Sequence, residues 1–152
     1  MQFYQGPSAI NGRPIISVFA GMVIPSANVK TGPVIQQFIL SDEGVAPHQI
    51  NSEQSEAICG SCPLQPSKSG GCYVTRFRSS YQVFKQLSKY PEFKATRLRG
   101  RVMRLGADGD PTAIPFDYYA PVFKNSKVII GCLLYTSPSP RDGATSRMPS
   151  SA

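Results

Sequence analysis

The stretch RVMRLGADGDPTAIPFDYYAPVFKNSKVII, residues 101–130, decides the fold class. Residues 101–105 are a compact strand candidate, residues 116–124 can form a short helix, and residues 127–130 begin another strand. Strand, helix and strand in this order are typical of a parallel βαβ unit. We therefore predict an α/β fold, either an α/β sheet or part of an α/β barrel.

Two further strands are predicted upstream of this unit. Residues 15–19 form a β-rich run after Gly-Pro and Asn-Gly turn signals, and residues 34–40 mix β-branched and aromatic residues. Residues 45–71 are rich in Pro, Ser and Gly, hold Cys59 and Cys62 and are followed directly by Cys72, with one short helical turn predicted at residues 52–57. A connection this long inside a compact domain is usually functional or disordered, so we predict a long cysteine-bearing loop.

A helix is predicted between this loop and the βαβ unit. Ser79 or Ser80 offers an N-cap, and apolar residues follow at helical spacing until Pro91 ends the element. We expect this stripe to belong to the core; its members are Tyr81, Phe84, Leu87 and Tyr90.

The last 21 residues, 132–152, have the sequence of a translated sequencing adapter. CLLYTSPSPRD and SRMPSSA correspond to two fixed adapter blocks in one reading frame, and the intervening GAT corresponds to a variable barcode. We therefore expect residues 1–131 to be a truncated native domain and residues 132–152 to be a non-native, disordered tail. Cys132 lies in this segment and is not counted as a candidate ligand.

The composition is that of a basic chain without a membrane segment. The formal net charge is +7, and no apolar stretch approaches the roughly 20 residues that span a bilayer. A soluble cytoplasmic protein without a membrane partner is the expectation. Positive charge favours the binding of polyanions such as nucleic acid. One basic cluster is either a phosphate-contacting stripe or the solvated edge of a strand. It consists of Arg97, Arg99, Arg101 and Arg104.

Three cysteines form the most specific candidate site. Cys59 and Cys62 make a CxxC motif, and Cys72 follows in GGCYV. A CxxC turn lets two thiolates converge on one metal ion, and lasting disulfides are not expected in a reducing cytosol. A redox-active CxxC and cysteines without a chemical role are the alternatives.

The metal interpretation leaves two cofactors open. A structural zinc needs a fourth ligand, for which His48 is the only histidine, unless a residue beyond the native fragment supplies it. An iron–sulfur cluster held by three cysteines would leave one iron open to a substrate or cofactor.

Two acidic residues follow the strand predicted at residues 101–105. Asp108 and Asp110 lie in LGADGDPTAIP, where they could orient a substrate, bind a cation or act as acid and base. The position after a strand favours such a catalytic role, because ligands of α/β sheets gather at the carboxyl ends of the strands. Asp-Gly and Asp-Pro are also ordinary turn formers, so the alternative is a turn without chemistry.

Four blocks of the chain, in order, resemble an uncharacterised family of phage and prophage proteins. The blocks are GPSAINGRPI, NVKTGPVIQQFIL, AICGSCPLQPSKSGGCYV and MRLGADGDPTAIP, and the resemblance covers nearly all of residues 1–131. It implies a phage context, and hence the host cytoplasm, without implying a mechanism. A looser similarity to radical-SAM-like phage proteins implies an iron–sulfur cluster in a partial barrel, although the spacing here is C-x2-C-x9-C rather than C-x3-C-x2-C.

The sequence therefore supports three hypotheses. The leading one is an α/β phage-type protein whose Cys59, Cys62 and Cys72 bind a metal ion or iron–sulfur cluster beside Asp108 and Asp110. The rival is a zinc-stabilised nucleic-acid-binding module without catalysis. The third is a structural or interaction protein without a site.

Overall fold

The computed structural model describes residues 1–23, 32–65, 68, 70–72 and 74–131. These residues form a five-stranded sheet with the spatial order β1-β2-β3-β4-β5. The strands are β1 (Gln2–Pro7), β2 (Pro14–Ala20), β3 (Ile35–Ser41), β4 (Val102–Asp108) and β5 (Val128–Ile130). The segment predicted to be adapter-derived, residues 132–152, lies outside the described residues.

Three α-helices and four single turns of 3-10 helix connect the described strands. The α-helices are α1 (Ser52–Cys59), α2 (Ser79–Phe84) and α3 (Ala120–Asn125). The 3-10 turns are Leu87–Lys89, Ala95–Leu98, Pro111–Ala113 and Phe116–Tyr119. Within the described ranges, no helix has the length and apolar character needed to cross a membrane.

The sheet is mixed, and its parallel half contains the predicted βαβ unit. β1, β2 and β3 pair antiparallel, whereas β3 pairs parallel with β4, and β4 parallel with β5. The chain passes from β4 to β5 through α3, which confirms the α/β class and the parallel strand–helix–strand unit. The narrower interpretation, part of an α/β barrel, stays a prediction.

The strand at residues 2–7 was not predicted. The Gly-Pro and Asn-Gly signals were interpreted only as a turn before the strand at residues 15–19, but the chain before that turn also forms a strand. β1 lies at the edge of the sheet and pairs with one strand, β2. Proline has no backbone N–H to donate, so Pro7 is tolerated at the end of an edge strand.

Both faces of the central strands are buried, so the sheet lies between two helical layers. Alternate residues of β3 belong to different cores: Ile35 and Ile39 to the first, Phe38 and Leu40 to the second. The first core also contains residues of α1 and α3, and the second contains Val83 of α2. This alternation is the two-residue period of a strand, with each face covered by helices.

The helix predicted to continue to Pro91 ends earlier than the apolar pattern indicates. α2 ends at Phe84, and a separate 3-10 turn covers Leu87–Lys89. At Gln86, φ is −113° and ψ is 8°, outside the helical region, which interrupts the run. The residue of α2 buried in the second core is Val83, whereas Phe84, Leu87 and Tyr90 pack partly buried against it.

A buried polar network links the sheet to the segment before α3. The Gln37 side-chain amide donates hydrogen bonds to Ser17 Oγ at 3.1 Å and to the Tyr119 hydroxyl at 2.8 Å. The Tyr119 hydroxyl donates to the Pro111 carbonyl at 3.2 Å. Burial raises the pKa of Tyr119, so the hydroxyl keeps its proton and its donor role.

We expect Tyr119→Phe to lower the free energy of unfolding by about 1–2 kcal/mol, because it removes one hydrogen-bond partner each from Gln37 and Pro111 in the interior. Urea unfolding followed by circular dichroism measures this loss. The matched control is Tyr118→Phe, whose half-exposed hydroxyl should cost under about 0.5 kcal/mol. Equal losses in the two variants would contradict a role for the buried hydroxyl.

Gly109 lets β4 turn away between β3 and α1. Its φ is +83°, and a Cβ atom there would lie 2.8 Å from Ile39 Cβ and 3.1 Å from the Ile58 carbonyl oxygen. A left-handed backbone and a close approach therefore both require glycine at this position. Gly44 has a similar φ of +71° but nothing within 4 Å of the Cβ position.

We expect Gly44→Ala to cost about 1 kcal/mol of stability from backbone strain alone. Gly109→Ala adds overpacking against Ile39 and α1, so it should cost at least about 2 kcal/mol more. Thermal and urea unfolding of the two variants provide the comparison. The close approach would be refuted if Gly109→Ala were no worse than Gly44→Ala.

Candidate functional site

The cysteine segment is a loop tied together by backbone hydrogen bonds. Cys59 is the last residue of α1, and the Cys62 amide donates to the Cys59 carbonyl at 3.3 Å. The Gln65 amide donates to the Cys62 carbonyl at 3.4 Å, and the Cys72 amide donates to the Leu64 carbonyl at 2.9 Å. The chain around Cys72 therefore folds back onto the chain that follows the CxxC motif.

Side-chain and steric features reinforce this loop. The side chain of Gln65, which is 2% exposed, donates to the carbonyl of Gly60, the C-cap residue of α1, at 2.6 Å. Gly70 runs so close to Leu64 that an added Cβ would overlap the Leu64 backbone. Part of the region predicted to be irregular is therefore built by specific contacts.

The three thiols are free and partly buried. Burial raises the pKa of the Cys59 thiol to about 12; the guanidinium of Arg76 opposes this shift, while charges at Asp108, Cys72 and Cys62 add to it. Among the described residues, no three or more His, Cys, Asp or Glu side chains are arranged to hold a metal ion. The described loop thus brings the three cysteine segments into one region without gathering their sulfur atoms into a ligand set.

A buried arginine connects the loop to the sheet. Arg76 Nε lies 3.5 Å from Asp108 Oδ1, and the terminal nitrogens donate to Ser55 Oγ and Cys59 Sγ, each at 3.1 Å. Its side chain is 11% exposed. Burial acts to lower the pKa of Arg76, but the charges of Asp108 and the cysteines, with the Asp108 hydrogen bond, outweigh it. The guanidinium therefore stays charged and joins α1 to the end of β4.

Asp108 occupies the position that the sequence predicts for a functional acid. It is the last residue of β4 and is 1% exposed. One carboxylate oxygen faces Arg76, while Oδ2 is buried and has no hydrogen-bond partner among the described residues. Through Arg76, the structure brings Asp108 and Cys59 together at the carboxyl end of β4.

Asp110 stabilises the 3-10 turn that follows it. Its Oδ1 accepts hydrogen bonds from the Thr112 amide at 2.9 Å and the Thr112 hydroxyl at 2.8 Å, which caps the 3-10 turn Pro111–Ala113. Its backbone amide donates to the Ile58 carbonyl of α1 at 2.6 Å. These contacts match the turn-forming alternative for Asp110, and its catalytic role stays a prediction.

A cleft of about 400 Å³ opens beside the cysteine loop. Cys72, Arg76 and Ser55 line it together with His48 and the exposed ring of Phe77. His48, the suggested fourth zinc ligand, packs edge-on against Tyr81 at the same time, with ring centroids 5.1 Å apart. A small molecule in this cleft would contact both a thiol and the buried arginine.

The predicted arginines do not all line one cleft. Arg97 lies in a 3-10 turn and lines a cleft near Met1, whereas Arg104 lies in β4 and lines a cleft near α2. Arg101 donates to the Met22 carbonyl at 3.2 Å. This arrangement does not favour one continuous phosphate-contacting stripe.

The sequence interpretation missed Arg76, Ser55 and Gln65. Arg76 stands in an irregular run four residues after Cys72, where a charged residue is ordinarily solvated. One signal in the sequence could have indicated Arg76. Asp108 lies at a predicted strand end, and a buried carboxylate needs a positively charged partner.

Comparison of the chain with protein-family models, with curated proteins and with solved structures found no match. The resemblance to phage proteins stays a prediction, and the geometry of the site carries the functional argument.

We expect Arg76→Met to lower the free energy of unfolding by about 3 kcal/mol, because it leaves the Asp108 carboxylate buried without a positive partner. Adding Asp108→Asn removes that unpaired charge, so the double variant should lose less than the sum of the single losses. Urea unfolding of the four proteins gives the coupling free energy. Losses that add to within about 0.5 kcal/mol would show that the two residues are not coupled.

Proposed function

We propose that this protein binds a metal ion, either zinc or the iron of an iron–sulfur cluster, through Cys59, Cys62 and Cys72. The single observation that carries the proposal is the hydrogen-bonded loop that folds the Cys72 segment back onto the segment after Cys62. A loop built this way brings the three cysteine segments into one region, and thiolate is the ligand type preferred by zinc and iron–sulfur clusters.

The surroundings of the thiols also support the proposal. Metal binding requires deprotonated thiols, and a buried thiolate is costly unless a positive charge lies beside it. Arg76 supplies such a charge 3.1 Å from Cys59 Sγ, and this charge offsets part of the burial that raises the pKa of the thiol. The three side chains would need to turn toward a common ion for the metal to bind.

The same cleft suggests how a bound metal would be used. Cys72 and His48 both line it, so His48 is a candidate fourth ligand for zinc. An iron–sulfur cluster held by the three cysteines would leave one iron without a protein ligand, and this iron could bind a small molecule. Asp108, behind Arg76, is the candidate acid or base of such a reaction, and Asp110 is the weaker candidate because its carboxylate caps a turn.

The rival function is a zinc-stabilised nucleic-acid-binding module. It would also bind zinc, but its partner would be nucleic acid rather than a small molecule. It depends on the run from Arg97 to Arg104, and these two arginines line different clefts. We therefore favour a metal site that opens on a small-molecule cleft. A phage context, with the host cytoplasm as the location, belongs to the same proposal.

Metal analysis of the whole chain, purified without oxygen, tests the proposal. We expect one zinc per chain, or iron and sulfide in cluster stoichiometry with visible absorption. Cys59→Ser, Cys62→Ser and Cys72→Ser should each lose most of the bound metal, because each removes a ligand.

Cys132→Ser is the matched control, since Cys132 lies in the predicted adapter-derived segment, and it should keep the full metal content. The proposal fails if the wild-type chain carries neither zinc nor iron in stoichiometric amounts. It also fails if the triple Cys59, Cys62 and Cys72 variant keeps the metal while folding as the wild type does.

A further inference from the structure

A second cleft, of about 300 Å³, lies at the opposite end of the sheet from the cysteine loop. It opens where β2 ends, and it is lined there by Phe19, Gly21 and Met22. The end of β2 pairs with the start of β3, which lies beside the start of β4, whereas Asp108 is the last residue of β4. The second cleft is therefore separate from the candidate metal site.

The floor of this cleft is apolar. Phe19 and Met1 line it, and both are buried members of the first core. Val23 and Pro91 also line it, as exposed residues. An uncharged part of a ligand would be stabilised on this floor, because apolar surface would be removed from water on both sides.

The segment 86–97 supplies the charged side of the cleft. Lys89 is the last residue of one 3-10 turn, and Arg97 lies in the next. None of the described lining residues is acidic, and neither Lys89 nor Arg97 forms an ion pair with a described residue. Residues 24–31, which follow Val23 in the chain, contain no Asp or Glu. Two positive charges therefore stand beside an apolar floor without a carboxylate to neutralise them.

The charge of Arg97 acts on the part of the cleft near Met1. The Met1 amino group donates to the Phe19 carbonyl at 2.7 Å, and burial, with a further contribution from the Arg97 charge, lowers the pKa of this group to about 6. The guanidinium is thus close enough to repel a second positive charge in the cleft. An anion bound beside Arg97 would reduce this repulsion.

Tyr90 adds a hydrogen-bond donor to the same side. It lines the cleft while packing partly buried against the second core. Burial raises the pKa of the Tyr90 hydroxyl, so the group keeps its proton and can donate it to an acceptor. Together with Lys89 and Arg97, it can bind the oxygen atoms of a carboxylate.

We propose that this cleft binds a small amphipathic anion, whose carboxylate contacts Lys89 and Arg97 and whose apolar body lies on Met1 and Phe19. Charge-assisted hydrogen bonds from guanidinium and ammonium groups to a carboxylate are the strong kind, so the head group is held firmly. The volume is at the lower end of the roughly 300–1,000 Å³ typical of small-molecule sites, so the body is a small one, such as a single ring with a short chain. None of the three candidate metal ligands lines this cleft, so the proposal is independent of metal binding.

Titration of the isotope-labelled whole chain with sodium cinnamate, followed by NMR amide shifts at about 0.1 M salt, tests the site. We expect the largest shifts around the cleft, at Gly21, Met22, Lys89 and Tyr90. Cinnamamide, the uncharged analogue with the same body, should bind at least about tenfold more weakly, because it loses the charge-assisted contacts. Sodium acetate, which lacks the body, should also bind at least about tenfold more weakly.

Charge-removing variants assign the head group. Lys89→Gln with Arg97→Gln should weaken cinnamate binding about tenfold or more while changing cinnamamide binding by less than about threefold. The matched control is Lys94→Gln with Arg99→Gln, which removes the same charge from positions outside the described lining. It should change the cinnamate affinity by less than about threefold. All four side chains are exposed, so both variants should fold, and their amide spectra check this.

The proposal is overturned if cinnamate does not shift the amides around the cleft. It is also overturned if cinnamamide binds as tightly as cinnamate, since apolar contact alone would then account for the binding. An equal loss of affinity in the Lys94 and Arg99 control would overturn it as well, because the binding would then reflect diffuse charge.

Discussion

The buried ion pair between Arg76 and Asp108 is the constraint on which the rest of the site depends. Neither charge is tolerated in the interior alone, so the end of β4 and the segment after Cys72 have to stay together. The remaining donors of the guanidinium reach Ser55 and Cys59, which fixes the last turns of α1 against the same point. One side chain thus aligns a helix, a loop and a strand end.

Backbone contacts hold the same junction from the other side. The Asp110 amide donates to the Ile58 carbonyl of α1, and Gly109 passes between Ile39 and α1 with no room for a side chain. The Gly-Asp-Pro turn is therefore a structural joint as well as a candidate site. A thiol, a guanidinium and a carboxylate come together here because the joint brings α1 to the carboxyl end of β4.

Much of the fold could be predicted from local pattern. β2, β3, β4 and β5 coincide with apolar or β-branched runs between turn residues, and α1 extends the helical turn predicted at residues 52–57. β1 was missed because an edge strand buries less and shows weaker alternation. The early end of α2 could not be read from spacing, since its apolar residues keep helical periodicity after the backbone has left the helix.

The site was predictable only in part. Asp108 follows from the rule that functional groups collect at strand ends, and the cysteines stand out by spacing. Arg76 could not be found, because its burial depends on the way the loop folds against β4, and that contact is not local in sequence. The placement of the arginines is likewise tertiary, since Arg97 and Arg104 end up lining different clefts.

The parallel pairing of β3 with β4 has a consequence for the order of folding. Ile35 pairs with Met103, so about 70 residues separate the partners, and closing so large a loop is slow because its entropy is lost before the contacts form. The antiparallel pairs β1–β2 and β2–β3 are much closer in sequence and can form first. Cys59, Cys62 and Cys72 lie within the large loop, so Cys59 reaches its place beside Arg76 and Asp108 only when this late step is complete.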